Sequence, residues 1–355
     1  MTTHKIIRQQ KYKHKAVIAK AYLVRKWYFL KCWFRKNILG KKTFYDNKIH
    51  QGNLPIRVLQ YNILHWLETV SPDFFKTIEE EIKNNGLEAG IIYNINRKPI
   101  IHAAKLNAAS INSKRQISTY ETFNAYLWCI CYSLLVTFEE VIQKPNLKGN
   151  YTGEIDLNNE QVKAAIEVFN YGLSLKTTYQ NWDTSIPNPE NFDCKNSFYI
   201  EKANSLFVSA MFFIMSHEIG HSYFNHVTYS PATATQSRQE ELDADNFAIS
   251  QVMTCKDEKI LPSLKYGAVV GMCALLFLSP KLYNGGYYPD ADDRIRNVME
   301  KLNLNDLDMQ WGIASLAFRL WGNHYGIQFQ LPKTSENYSE IFYEVLFEMN
   351  SIKKP

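Results

Sequence analysis

His217-Glu218-Ile219-Gly220-His221 sets two imidazoles four residues apart with a carboxylate next to the first. At 3.6 residues per turn, positions i and i+4 share one helix face, so both rings can reach a single ion. Glu218 points aside from that pair, yet stays close enough to take a proton from water activated by the ion. Zinc suits two imidazoles plus a carboxylate, with one position left for water whose pKa falls to about 7. The chemistry expected is hydrolysis, and the expected cofactor is one zinc ion. Manganese and cobalt suit the same donors, because occupancy follows availability as well as ligand type.

The missing carboxylate has candidates downstream. Ser237-Arg238-Gln239-Glu240 reads as a capping box that opens a new helix. Glu241 and Asp245 then fall at i and i+4 on one face of it. Nineteen residues separate His221 from Glu241, and the loop 227–236, with Pro231, is long enough to turn the second helix back along the first. Glu240 and Asp243 are alternative carboxylates, the former already explained by the capping box. On residue types alone the choice stays open.

H-E-x-x-H followed by E-x-x-x-D resembles the gluzincin group of zinc peptidases. Glu241–Ala248, read as E-x-x-A-D-x-x-A, is similar to the HtpX-like branch of that group. The resemblance covers residues 204–250 and implies His217, His221 and Glu241 as zinc ligands, Glu218 as general base and Asp245 as the residue that orients a ligand histidine. It implies a soluble zinc endopeptidase acting on a protein or peptide. The membrane-spanning helices of that branch are missing here, and the arrangement also resembles the phage-exclusion Lit-type peptidases, which implies a target-specific defence or regulatory protease. The stretch from Tyr287 to Ile295 resembles the branch's late H-P-x-x-x-x-R-I run, with Tyr288 where histidine is usual. Tyr288, Arg294, Tyr223 and His324 are the candidate donors to a transition-state oxyanion. A metzincin pattern fails, because its third histidine would fall at Val227. His226 is one residue short, and reads as a helix C-terminal residue interacting with the dipole in preference to a substrate contact.

Apolar periodicity supplies the elements that must position these groups. Helices are expected over 54–68, 73–84, 119–143, 158–179, 204–225, 256–279, 292–302, 306–321 and 338–350, with a further helix opening at the Ser237 capping box. A small hairpin is expected over 90–104, a loop over 181–194, and a short strand at 197–200 that would serve as the edge receiving an extended substrate. The fold class is α+β, predominantly α-helical: a zincin-like core with a small sheet and two metal-bearing helices. The chain divides into a basic aromatic arm (1–50), a mainly helical region (51–199) and a catalytic region (200–355).

With 46% hydrophobic and 21% charged residues, the 355-residue chain is neither disordered nor low-complexity. No run reaches 18 uninterrupted apolar residues, so no membrane span is expected. Six cysteines without C-x-x-C spacing read as reduced thiols, and with no signal peptide evident the expected location is cytoplasmic. Residues 1–50 carry 14 Lys/Arg against Asp46 alone, a net charge of +13, which leaves −8 for the rest. An apolar stripe runs through Ala16, Leu23, Trp27, Leu30, Phe34 and Ile38. That arm can pack on the acidic body, neutralise nucleic-acid phosphates, or engage an anionic membrane surface or a separate acidic protein. In a binding regulator built on the arm, the metal site would be structural; against this, structural zinc sites take four protein ligands, often thiolates, and no cysteine lies near the motif.

Overall fold

The segment ETFNAYLWCICYSLLVT has no polar stripe, and a helix apolar on all sides must be buried on all sides. It forms α3 (Glu121–Thr137), every residue of which is buried, and continues as a π-helical stretch (Phe138–Gln143) and a last turn (Lys144–Leu147). The computed structural model describes residues 50–95, 108–149, 151, 155, 157–192, 197–231, 233–282, 286, 288–327 and 337–352. The basic arm (1–49) and the second half of the expected hairpin, Ile100-Ile101, lie outside the described residues.

The other helices are α1 (Arg57–Val70), α2 (Pro72–Lys83), α4 (Glu160–Ser174), α5 (Ser197–Tyr223), α6 (Ala234–Met253), α7 (Leu261–Leu276), α8 (Ala291–Lys301), α9 (Met309–His324) and α10 (Tyr338–Ile352), of which α4, α5, α7 and α9 pack on α3. One apolar core runs from Leu54 to Met349. The fold is α+β and predominantly helical, as its periodicity implies. Local chemistry sets the ends. Asn159 caps α4 by accepting from the backbone N–H of Gln161 at 2.9 Å. Pro72 opens α2, and Asn85, in the left-handed region at φ 58°, closes it.

Three short strands form the sheet, in the order β1 (Ile91–Asn94), β3 (Ile117–Tyr120), β2 (Ser110–Ile111). β1 and β3 are parallel, with Ile91 opposite Ile117, while β2 and β3 are antiparallel, with Ile111 opposite Ile117. Among the described residues, β1 finds its partner in a strand some 25 residues on, and the second strand of the expected hairpin lies outside them. The helix expected from 119 starts at Glu121, because 117–120 belong to β3.

The expected strand at 197–200 is also corrected. Those residues are the first turn of α5, with Ser197, Ile200 and Ala203 buried and Phe198 exposed, a spacing of three rather than two. A four-residue apolar run cannot by itself distinguish the two periods. The capping box is the third correction. Thr233 is the cap of α6, its Oγ1 accepting from the Gln236 N–H at 3.1 Å, so Ser237 already lies inside the helix.

Glycine lets the site-bearing helices approach. A Cβ at Gly267 of α7 would collide with the Ser209 backbone of α5, and one at Gly220 would lie 3.2 Å from Ala244 Cα and Phe247 Cβ of α6. α3 with its extension, and α5, are long and apolar enough to cross a membrane by length and composition. The apolar windows of the two are 89% and 67% buried inside the protein, which is how core helices satisfy the same pattern.

Candidate active site

α5 is 27 residues long, and its N-terminal two-thirds is anchored in the core. Its C-terminal turns carry His217, Glu218 and His221 to the wall of a cavity of about 550 Å³. α6 runs back along α5 at the Gly220 contact and brings Glu241 and Asp245 to the same cavity. His217 Nε2 and His221 Nε2 are 3.1 Å apart. Glu241 Oε2 lies 3.6 Å from the first and Oε1 3.6 Å from the second. Two bonds of roughly 2.0–2.2 Å meeting near the tetrahedral angle separate donor atoms by about 3.3–3.5 Å, so this triangle fits a zinc-sized cation. All three residues are partly buried, and their ligating atoms lie within 4.8 Å of one another.

The surrounding charges fix the donors. Asp245, fully buried, lies 2.9 Å from His217 Nδ1. Arg294 of α8 donates to the same carboxylate through Nε at 2.8 Å and Nη2 at 2.7 Å, and its Nη1 is 3.3 Å from Glu241 Oε2. Burial pushes the Asp245 carboxyl up, but Arg294 and His217 outweigh it and hold the group well below the usual carboxylate range. Burial opposes the charged form of His217, and the Asp245 carboxylate overcomes this and raises its pKa. Burial, with His217 and His226 alongside, pulls His221 down to about 3, so its ring is neutral and able to act as a ligand. Glu218 is buried and pushed up to about 7, chiefly by desolvation and then by the Glu241 charge, while His217 and, less, a hydrogen bond from the Ile111 backbone N–H pull the other way. A carboxyl poised near neutrality beside a cation site is suited to moving protons.

Glu240 faces the cavity but is engaged by Gln236 Nε2 at 2.9 Å, and Asp243 is bound by Gln239 Nε2 at 2.9 Å. Tyr288 stands at the cavity rim, 54% exposed. Arg294 is in the cavity wall with its donors directed at Asp245 and Glu241. Tyr223 and His324 are elsewhere: the first packs on Phe224 and Phe247, the second on Phe169 and Tyr325.

A family model for Peptidase U49 matches residues 117–314, more than half of the chain. This protein belongs to the Peptidase U49 family. It is a peptidase, and its substrates are proteins or peptides. The match starts at β3, ends in α9 and contains every residue of the cavity wall except Ala108–Ile111. No curated protein and no solved structure matches the chain.

Residues beyond the two motifs complete the site. β2 is an edge strand, and Ala108, Ala109, Ser110 and Ile111 line the cavity above Glu218. Nothing in a two-residue strand marks it in sequence. His226 also lines the cavity, its Nδ1 3.1 Å from His221 Nδ1. The dipole reading of His226 is corrected here. α5 stops at Tyr223, and Asn225, at φ 62°, reverses the chain into a 3-10 turn (His226–Thr228) that returns the ring to the site. Asparagine in the left-handed region is the sequence signal for that reversal.

Proposed function

We propose that this peptidase is a zinc-dependent endopeptidase with His217, His221 and Glu241 as ligands and Glu218 as general base. The observation that carries the reading is the triangle of His217 Nε2, His221 Nε2 and Glu241 carboxylate oxygens at 3.1–3.6 Å, with Glu218 beside it in one cavity. Zinc bound there would polarise the scissile carbonyl and supply hydroxide at neutral pH. Glu218 takes the proton of the attacking water and delivers it to the leaving amine as the C–N bond breaks. Asp245 and Arg294 hold His217 and Glu241 in place. Tyr288, at the rim, is the donor free to meet an oxyanion.

Substrate binds extended along β2, the edge that replaces the strand expected at 197–200, and places its scissile bond over Glu218. The two-residue edge gives little backbone pairing, which favours a peptidase directed at one target by contacts elsewhere. The Lit-type resemblance supports the same view of a defence or regulatory protease, and the +13 arm is the natural recruiter. A regulator with a purely structural metal fits less well, since the described residues converge three protein donors rather than four.

The test is paired. Zinc content and peptide cleavage are measured for the wild type and for Glu218→Gln. Retained zinc with cleavage reduced by roughly 10²–10⁴-fold is the expected result. Undiminished cleavage by the variant, or wild-type cleavage unaffected by a strong chelator, overturns the reading. Deleting residues 1–40 should spare small-peptide cleavage and impair cleavage of the natural target.

A further inference from the structure

Two imidazoles face the proposed cation, and the protein supports them differently. His217 leans on a charged pair, Asp245 with Arg294. Among the described residues, no carboxylate stands at hydrogen-bond distance behind His221; His221 Nδ1 meets His226 Nδ1 at 3.1 Å. Two ring nitrogens at that distance share one proton, with one donating and the other accepting. We infer that His226 is a positioning residue for His221, its Nδ1 lone pair accepting the His221 Nδ1–H and so reserving the His221 Nε2 lone pair for the metal. The inference rests on the zinc reading above and assigns the residue that sets one ligand's tautomer.

The ring of His226 is held from outside α5. Asn225 Oδ1 accepts from Arg115 Nη2 at 2.6 Å, and Arg115 Nη1 reaches Ser222 O and Oγ at 3.3 Å and Gly86 O at 3.1 Å. Arg115 stands in the turn between β2 and β3. Ser222 Oγ in turn donates to Gly86 O at 2.7 Å. Phe224 stacks on the His226 ring, centroids 5.6 Å apart and planes 25° from parallel. The turn that carries the substrate edge therefore also clamps the reversal that delivers His226. Groups that orient a ligand histidine in this way contribute roughly 10–100-fold to metal affinity.

The experiment uses the full chain and zinc alone as probe. Zinc affinity is measured by chelator competition for wild type, His226→Ala and His226→Asn, and ring tautomers are read from long-range ¹H–¹⁵N spectra of histidine-labelled wild type. His226→Ala should bind zinc 10–100-fold more weakly. His226→Asn, whose amide oxygen can accept the same proton, should recover part of the loss. In wild type, His221 should carry its proton on Nδ1 and His226 on Nε2. Equal affinity of wild type and His226→Ala overturns the inference, as does a His226 protonated on Nδ1. The wild-type tautomer decides even where the alanine variant misfolds. A wild type that binds no zinc instead defeats the metal reading, so the two failures are distinguishable.

Discussion

Arg294 is the group whose removal tests the electrostatics of the site most directly. Its guanidinium makes two hydrogen bonds to Asp245, at 2.7 and 2.8 Å, and approaches Glu241 at 3.3 Å. Asp245 has no solvent exposure. Arg294→Met keeps most of the volume and removes the charge, leaving a buried carboxylate without its cation. Breaking a buried pair in this way costs about 3–5 kcal/mol. The pH dependence follows from the sign of the Asp245 shift. In the wild type the folded pKa lies below the unfolded value of about 3.9, so the stabilisation is present above that pH and is lost on acidification. In the variant, His217 alone opposes burial, and the folded pKa rises from its wild-type position. The folded variant then binds more protons than the folded wild type, and the gap in stability between them widens as pH rises. The deficit should therefore be largest near pH 7 and narrow toward pH 4, by up to about 1.4 kcal/mol per pH unit. Urea unfolding of metal-free protein, followed by tryptophan fluorescence between pH 4 and 7.5, reads the difference. A deficit below about 1 kcal/mol at pH 7, or one that is constant with pH, refutes the argument.

Other outcomes are equally specific. Glu241→Ala should lower zinc occupancy while Glu240→Ala should not, as measured by metal analysis after dialysis, because only Glu241 stands at 3.6 Å from both imidazoles. Gly267→Ala should destabilise by about 1–3 kcal/mol in urea unfolding, since its Cβ meets the Ser209 backbone rather than a side chain that can swing away. Cys129, Cys131 and Cys273 are buried with their thiols pushed up by desolvation, so native protein at pH 8 should leave them unalkylated by iodoacetamide, whereas urea should expose them to labelling in peptide maps.

Sequence alone reveals much of this molecule, and its gaps have physical causes. The i, i+4 pairs His217/His221 and Glu241/Asp245 are visible because a helix repeats regularly, and the structure sets all four around one cavity. Long apolar helices such as α3 and α7 declare themselves by composition, although their ends differ by a few residues from the apolar runs. The strands were the hard part. β2 has two residues, β1 pairs with a distant partner, and the run at 197–200 is too short to show its period. Thr233 displaced the Ser237 capping box because both satisfy the same local rule, and only the path of the chain chooses between them. His226 and Arg115 reach the site through turns, whose geometry depends on contacts from other elements. Arg294, expected as a donor to an oxyanion, is engaged by two carboxylates that no local pattern links to it.

α5 joins the deepest part of the core to the cavity without a break, as a rod of about 40 Å. Phe207 and Met211 are sealed among other side chains, and about two to three turns beyond Met211 on the same backbone sit the two imidazoles. The site consequently has no hinge of its own within that helix. Disturbing the spacing of the imidazoles means bending a helix wedged between α6 and α7, so the stiffness of the hydrophobic interior is lent to the reacting groups. Heat inactivation and global melting should then share one midpoint, with activity persisting until the interior itself gives way.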